Sequence, residues 1–158
     1  MQTIEIDVKN SEAYPGSGAE PEDILELAAI YYEAAIALFE NAKKGAPLSY
    51  APARLCSIHS IELFLNAFLR HEGKTPKEIR DRWHNLADEA FVSKLRLRKK
   101  TAAHLEAITA KREYLISRYA PELASQQSEL NRLTATLEEV KDKASTYLNN
   151  SDLRRSGD

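Results

Sequence analysis

The chain has 158 residues, of which 43% are hydrophobic and 29% are charged, which fits a single globular domain. The low glycine and proline content, five and six residues, excludes a collagen-like chain, a low-complexity chain and an all-β sandwich. A formal net charge of −2 and a mean hydropathy of −0.48 give no sign of a nucleic-acid binder or of a membrane-spanning helix, and the acidic start does not match a secretory signal.

The first 20 residues are predicted to form an arm outside the main body of the chain. Ile4, Ile6 and Val8 alternate with acids in a strand-like pattern, and a Pro-Gly-Ser-Gly break follows at residues 15–18. Because one short strand is not stable alone, the arm is expected either to dock on something or to be disordered.

Two long helices are predicted next, both apolar over a wide arc. The first begins near Pro21, where proline and the acids that follow it suit a first turn, and it ends at Gly45. The second runs from about Tyr50 to His71, with Gly73 as its stop, and is the most hydrophobic segment of the chain. We therefore expect the second helix to lie at the centre of a helical bundle.

A line of polar residues crosses this apolar second helix. His59, Glu62 and Asn66 share one helix face, and His84 or Arg82 from the next helix is a candidate partner for Glu62. Burying a carboxylate is costly unless it is paired. The line is therefore either a satisfied buried network that fixes helix packing or one wall of a polar pocket between helices.

A third helical region is predicted from Thr75, which suits an N-cap with Glu78 completing a capping box. The heptapeptide RDRWHNL follows and contains the only tryptophan of the chain. Helix is expected to resume after it through Leu86, Ala90 and Leu95.

A further helix is predicted from about Thr101 to Tyr119, where Pro121 either kinks one long helix or restarts the chain as a fifth helix. From Leu123 onward, apolar residues recur at spacings of three and four, which is typical of a narrow packing seam. This seam either folds back on the bundle or pairs with a second copy, and residues 149–158 form a polar tail. The seam consists of Leu123, Leu130, Leu133, Leu137, Val140, Ala144 and Tyr147.

These elements predict an all-α, antiparallel up-and-down bundle of about five helices over residues 21–148, including a long C-terminal helix. The middle of the chain is its basic part, since residues 70–118 carry thirteen Lys or Arg against seven Asp or Glu. Such cations either hold phosphates or form the solvated end of a helix. Candidate phosphate contacts are Lys94, Arg96, Arg98, Lys99 and Lys100, with Arg80 and Arg82 as additions.

Other chemistry finds little support in the sequence. His59 and Glu62 have ligand-like spacing, but no second carboxylate set accompanies them, so no metal and no cofactor are predicted. Cys56, the only cysteine, lies in an apolar helix where a thiol is usually inert, and it favours a cytoplasmic location. No glycine-rich phosphate loop and no nucleophile elbow is present.

Two strings resemble the HEPN superfamily: HSIELFLNAFLRHEG from His59 to Gly73, and RWHNLADEA from Arg82 to Ala90. The resemblance covers residues 24–121. The chain has Trp83 where the family usually has glycine, and its later Arg-Tyr-Ala-Pro ending at Pro121 is one residue longer than the family pattern. The resemblance implies a small antiparallel helical bundle, often a dimer.

Many members of that family are metal-independent ribonucleases or partners of nucleotidyltransferases in toxin–antitoxin pairs. Their motif is Arg, four to six residues, then His on a late helix, with histidine as acid or base and arginine on the scissile phosphate. No histidine follows Arg112 here, and the Arg54–His59 match lies on the wrong helix. Arg98 and His104 match by count but span the expected break near Thr101.

The sequence therefore favours a non-catalytic HEPN-like binding module that forms a homodimer and engages RNA, or a partner protein such as a nucleotidyltransferase, in a stress, defence or toxin–antitoxin context. Two alternatives stay open. One is a ribonuclease that uses Arg98 and His104, which requires one continuous helix through residues 98–104. The other is a structural adaptor that dimerises through the C-terminal seam. No membrane partner is expected.

Overall fold

The computed structural model describes residues 14–157, and this part of the chain is helical with no β-strand. The all-α bundle with a long C-terminal helix is therefore confirmed, whereas the strand-like pattern at residues 4–8 lies outside the described residues. Short 3-10 segments cover Pro47–Tyr50 and Pro121–Gln126. The α-helices are α1 (Pro21–Asn41), α2 (Ala51–His71), α3 (Pro76–Arg80), α4 (Glu89–Ser93), α5 (Lys99–Lys111), α6 (Glu113–Tyr119) and α7 (Leu130–Arg155).

Helix α2 is the centre of the bundle, as its apolar sequence predicts. It packs against α1, α6 and α7, and its Ile61, Phe64 and Phe68 are fully buried. The small residues Ala28 and Ala35 let α1 approach closely, and the Ser60 hydroxyl donates to the Ala28 carbonyl at 2.8 Å. Burial of Ile61, Phe64 and Phe68 is a main source of stability here, because each of these large apolar side chains contributes roughly 1.5–3 kcal/mol.

Helix α7 buries its apolar stripe against its own chain. Leu137, Val140 and Ala144 are fully buried in the common core with residues of α2 and α5. The seam therefore packs within the chain and leaves no free stripe of these residues for a second copy. The helix begins at Leu130, so the expected start at Leu123 is wrong, because Leu123 lies in a 3-10 segment that Pro121 begins. The polar tail continues as helix to Arg155.

The predicted helix from 101 to 119 is two helices. It begins at Lys99, with Arg98 as an extended N-cap, and it breaks at Arg112, where φ is 52° and ψ is 46°. A left-handed residue cannot continue an α-helix, so the chain turns and restarts as α6.

The helix expected through Leu86 and Leu95 is mostly absent. Only the five-residue helices α3 and α4 form, because the chain between and after them turns through left-handed residues that interrupt helix. The capping box at Thr75 is confirmed, with the Glu78 carboxylate accepting from the Thr75 N–H at 2.7 Å. Among residues 14–157, no helix combines the length and apolar character needed to cross a bilayer.

Candidate functional site

The polar line of α2 is not buried, which corrects one of the two interpretations of the sequence. His59, Glu62 and Asn66 are half-buried, and His84 is exposed. The Glu62 carboxylate oxygens lie 3.0 and 3.1 Å from His84 Nδ1, so His84 is the one of its candidate partners that the carboxylate contacts. His59 packs edge-on against the Tyr31 ring at 4.5 Å between centroids. The line is one wall of a pocket.

That pocket is a groove of about 670 Å³ on the side of the bundle. Helix α2, α1 with residues 14–19, and α3 with the turn that follows it line the groove. Its apolar surface comes from residues such as Ile24, Leu27 and Leu63, and its polar side chains include His59, Glu62, Asn66, Arg70, Arg80 and Asp81. A concave site of this size that combines apolar and polar side chains is suited to a small molecule.

The turn after α3 carries backbone strain to the rim of the groove. Trp83 and His84 have φ of 51° and 62°, a conformation that costs an L-residue roughly 1–2 kcal/mol. The turn directs His84 to Glu62 and leaves Trp83 81% exposed. Strain of this kind persists only where the surroundings hold it, and it concentrates at functional sites.

Arg82 and Leu86 hold the strained turn in place. The Arg82 guanidinium donates to the Asp88 carboxylate at 2.8 Å and to the carbonyls of Asn85 and Ala87 at 2.9 and 3.1 Å. The Leu86 N–H donates to the Thr109 hydroxyl of α5 at 3.0 Å. Arg82 was a candidate phosphate contact, but its guanidinium is committed to the turn.

His59 brings no charge to the groove at neutral pH. Burial lowers the pKa of its imidazole, and the nearby Arg118 and His84 act in the same direction, while the Glu62 carboxylate opposes them. The neutral ring offers one hydrogen-bond donor and one acceptor.

The predicted phosphate contacts divide into paired and unpaired cations. Lys94 forms an ion pair with Glu72, which raises the pKa of the lysine. The Arg98 Nε lies 3.6 Å from the Glu139 Oε1, although the arginine side chain is 83% exposed. Arg96, Lys99 and Lys100 are exposed and have no acid partner among residues 14–157. Residues 94–100, with their five cations, are called the basic segment below. Its cations without an acid partner lie at the start of α5 and just before it.

Glu139 of α7 anchors the start of α5, which the sequence analysis missed. Its carboxylate accepts from the Arg98 N–H at 2.9 Å and the Thr101 hydroxyl at 3.1 Å. Burial alone would raise the pKa of Glu139, but these hydrogen bonds and the nearby Lys143 outweigh it and lower the pKa. Lys143 pairs with Glu139 at 3.4 Å and also donates to the Arg96 carbonyl, so α7 places an ion pair beside the basic segment.

Arg98 and His104 do not meet the requirement of the ribonuclease hypothesis. Arg98 is the extended residue before α5, so no continuous helix covers 98–104. His104 is only 6% exposed, and its Nδ1 lies 2.7 Å from the Thr136 hydroxyl of α7. Burial, with Arg132 and Lys111 nearby, lowers the pKa of His104 to about 4. The histidine is a neutral core residue, whereas the arginine faces solvent.

A second buried polar contact also escaped prediction. The Glu113 carboxylate, 1% exposed, accepts from the Ser128 N–H and hydroxyl at 2.5 and 2.8 Å. Arg54 of α2 donates to the Ser128 carbonyl at 2.7 Å, and burial lowers the pKa of this arginine. These contacts fix the segment before α7. The partners are 15 and 74 positions apart, and no periodicity links them.

Comparisons with known proteins leave the chain without a relative from which a site could be transferred. No family model matches it, and no curated protein or solved structure shows significant similarity. Residues 14–157 hold no cluster of three or more His, Cys, Asp or Glu placed to ligate a metal. The groove and the basic segment are therefore the two candidate sites, and each is judged on its own geometry.

Proposed function

We propose that this chain is a non-catalytic, HEPN-like binding module that engages RNA as a homodimer in a stress, defence or toxin–antitoxin setting. The observation that carries the proposal is the exposed positive charge at the start of α5, which has no acid partner among residues 14–157. Family membership is inferred from the two strings of residues 59–73 and 82–90.

The position of Trp83 supports the inferred family alignment. The family usually has glycine there, and glycine adopts positive φ at no steric cost. In this chain the tryptophan has φ of 51°, the conformation for which glycine is suited. The all-α bundle also agrees with the fold that the resemblance implies.

The arrangement of cations supports RNA as the partner. Lys99 and Lys100 lie in the first turn of α5 and are exposed, as is Arg96 shortly before them. Binding of phosphates to such a cluster releases counterions and is strongly dependent on salt. Glu139, the acid that contacts the start of α5, is already held by the Arg98 N–H, the Thr101 hydroxyl and Lys143.

The environment of His104 supports a binding role without catalysis. A general acid or base needs a pKa near the working pH and access to the substrate. His104 has a pKa of about 4 and is buried against α7. It is therefore unsuited to proton transfer at neutral pH.

The test compares two pairs of consecutive lysines that carry the same charge but lie in different parts of the chain. Lys99→Gln with Lys100→Gln removes two charges at the start of α5, and Lys43→Gln with Lys44→Gln removes two exposed charges after α1. Binding of single-stranded RNA is measured by fluorescence anisotropy over a range of salt. We expect the first pair to weaken binding at low salt and to reduce the slope of log affinity against log salt by about 1.4, while the second pair leaves both unchanged.

Neutralising all five cations of the basic segment is expected to abolish RNA binding. Equal losses from both lysine pairs would show a charge effect without a defined site. Absence of RNA binding by the wild-type chain at low salt would overturn RNA as the ligand and leave a protein partner as the alternative. The dimer is checked separately by light scattering, where a mass of one chain, 17.8 kDa, contradicts it.

A further inference from the structure

The groove contains an arginine that no acid among the described residues pairs. The lining also holds two acids: the Glu62 carboxylate lies 3.0 Å from His84 Nδ1, and Asp81 forms an ion pair with Lys77 at 2.8 Å. Arg80 forms no ion pair within residues 14–157, and its guanidinium lies 4.3 Å above the centre of the Tyr14 ring. Within these residues the groove therefore presents a cation without an acid partner.

A second arginine lines the same groove. Arg70 of α2 donates one N–H to the Lys74 carbonyl at 3.0 Å and forms no ion pair among the described residues. Two arginines in one lining attract negative charge, so Arg70 and Arg80 together favour an anionic ligand.

The remaining walls are apolar and aromatic. Ile24, Leu27 and Leu63 line the groove, and Trp83 stands at its rim with most of its indole in solvent. An exposed indole on a strained turn has no packing role in the folded chain. A flat ring laid against Trp83 would bury apolar area on both partners, and aromatic pairs contribute beyond that area.

We propose that the groove binds a small aromatic carboxylate, with the carboxylate on the Arg80 guanidinium and the ring against Trp83. A guanidinium holds a carboxylate through two parallel N–H donors, and Arg80 has its donors unclaimed among the described residues. The Tyr14 ring supports the guanidinium from the other side, as arginine stacking on aromatic faces allows.

Two kinds of molecule carry an aromatic ring close to a carboxylate: a free aromatic acid and a peptide that ends in an aromatic residue. Phenylacetate represents the first, and N-acetylphenylalanine represents the second. Phenylacetamide has the same ring without the charge. The inference does not depend on RNA binding, because the groove and the basic segment share no residue.

The single tryptophan makes the test direct, because any change in tryptophan emission reports on Trp83 alone. Each probe is titrated into the full chain at constant salt. We expect one of the two carboxylates to give a saturable change in emission with a dissociation constant below about 1 mM, and phenylacetamide to bind at least tenfold more weakly.

Two variants locate the anion. Arg80→Gln is expected to weaken carboxylate binding at least tenfold, because it removes the guanidinium and keeps a polar side chain. Lys74→Gln is the matched control, since it removes an exposed cation next to α3 that does not line the groove. Trp83→Ala, followed by calorimetry, should also weaken binding, and the helical circular dichroism of each variant shows that it is folded.

Several outcomes would overturn the proposal. These are no saturable signal with either carboxylate, equal affinity for the amide, and unchanged binding by Arg80→Gln. Binding of a nucleoside monophosphate in place of both carboxylates would also reject the assigned ligand. The Lys99→Gln, Lys100→Gln chain is expected to bind the carboxylate as the wild type does, so failure of this proposal is separable from failure of the RNA proposal.

Discussion

Two regions of the molecule are held together in different ways. The framework of α1, α2, α5 and α7 is held by buried apolar side chains along long helices. The connection between α3 and α5, residues 81–98, contains one five-residue helix and has Trp83, His84 and Arg96 at positive φ. The framework determines the shape of the bundle, whereas the connection exposes the groups suited to binding.

The connection keeps its shape through a few specific contacts. Phe91, Leu95 and Leu97 anchor it in the core, and Arg82 ties its turn to Asp88. Trp83, Lys94, Arg96 and Arg98 alternate with these buried residues and are exposed, so an indole and several cations face solvent there. Both proposed sites draw residues from this connection.

The two regions should differ most in how much free energy of unfolding is lost when a side chain is truncated. Phe64→Ala in α2 should destabilise the chain by about 3–5 kcal/mol, because it leaves a cavity in the centre of the core. Val92→Ala in the connection, where the side chain is 46% exposed, should cost less than about 0.5 kcal/mol. Urea denaturation of both variants measures this, and similar losses would contradict the division into two regions.

An acid-dependent change in stability should follow from the buried contact between α5 and α7. The pKa of His104 is lowered from 6.5 to about 4, so between these values the unfolded chain binds a proton that the folded chain does not. The free energy of unfolding should therefore fall as the pH drops through this window, by up to about 3 kcal/mol from this group.

His104→Gln removes the titration and keeps a polar side chain at the same place. We expect the stability of this variant to depend less on pH than that of the wild type between about pH 6.5 and 4, with curves of similar slope at higher pH. Denaturation at a series of pH values makes the comparison. Parallel curves for both chains throughout the window would refute a buried, neutral histidine in the framework.

The smallest expected effect tests the strain in the connection. Trp83→Gly should be about 0.5–1 kcal/mol more stable than Trp83→Ala, because only glycine adopts φ of 51° without steric cost. The larger conformational entropy that glycine loses on folding offsets only part of this advantage. Both variants remove the same exposed indole, so their difference isolates the backbone. Thermal unfolding measures it, and an alanine variant as stable as the glycine variant would rule out the strain.

The long helices could be predicted because their causes are local. Pro21 and Gly73 mark helix ends through fixed and permissive backbone angles, and the Thr75 capping box forms within four residues. The break at Arg112 could not be predicted, since this residue has no intrinsic preference for left-handed backbone. Its conformation follows from how α5 and α6 pack.

The candidate site was predicted in part. The spacing of His59, Glu62 and Asn66 predicts one polar face of α2 and leaves open whether it is buried or lines a pocket, with His84 as one candidate partner of Glu62. Whether a polar face is buried depends on what covers it, and the neighbours of α2 are distant in sequence. Arg80 is predicted as a possible phosphate contact, whereas its place over Tyr14 could not be read from the sequence.

The sequence by itself determined the helical class, the central position of the apolar α2 and the density of cations near residues 94–100. These properties follow from local periodicity, capping and composition, which act over a few residues. The tertiary structure alone decided which charges are neutralised, which histidine is buried and where a groove remains. Those outcomes depend on contacts between residues such as Glu139 and Arg98, or Glu113 and Ser128, that only the packing of the whole chain brings together.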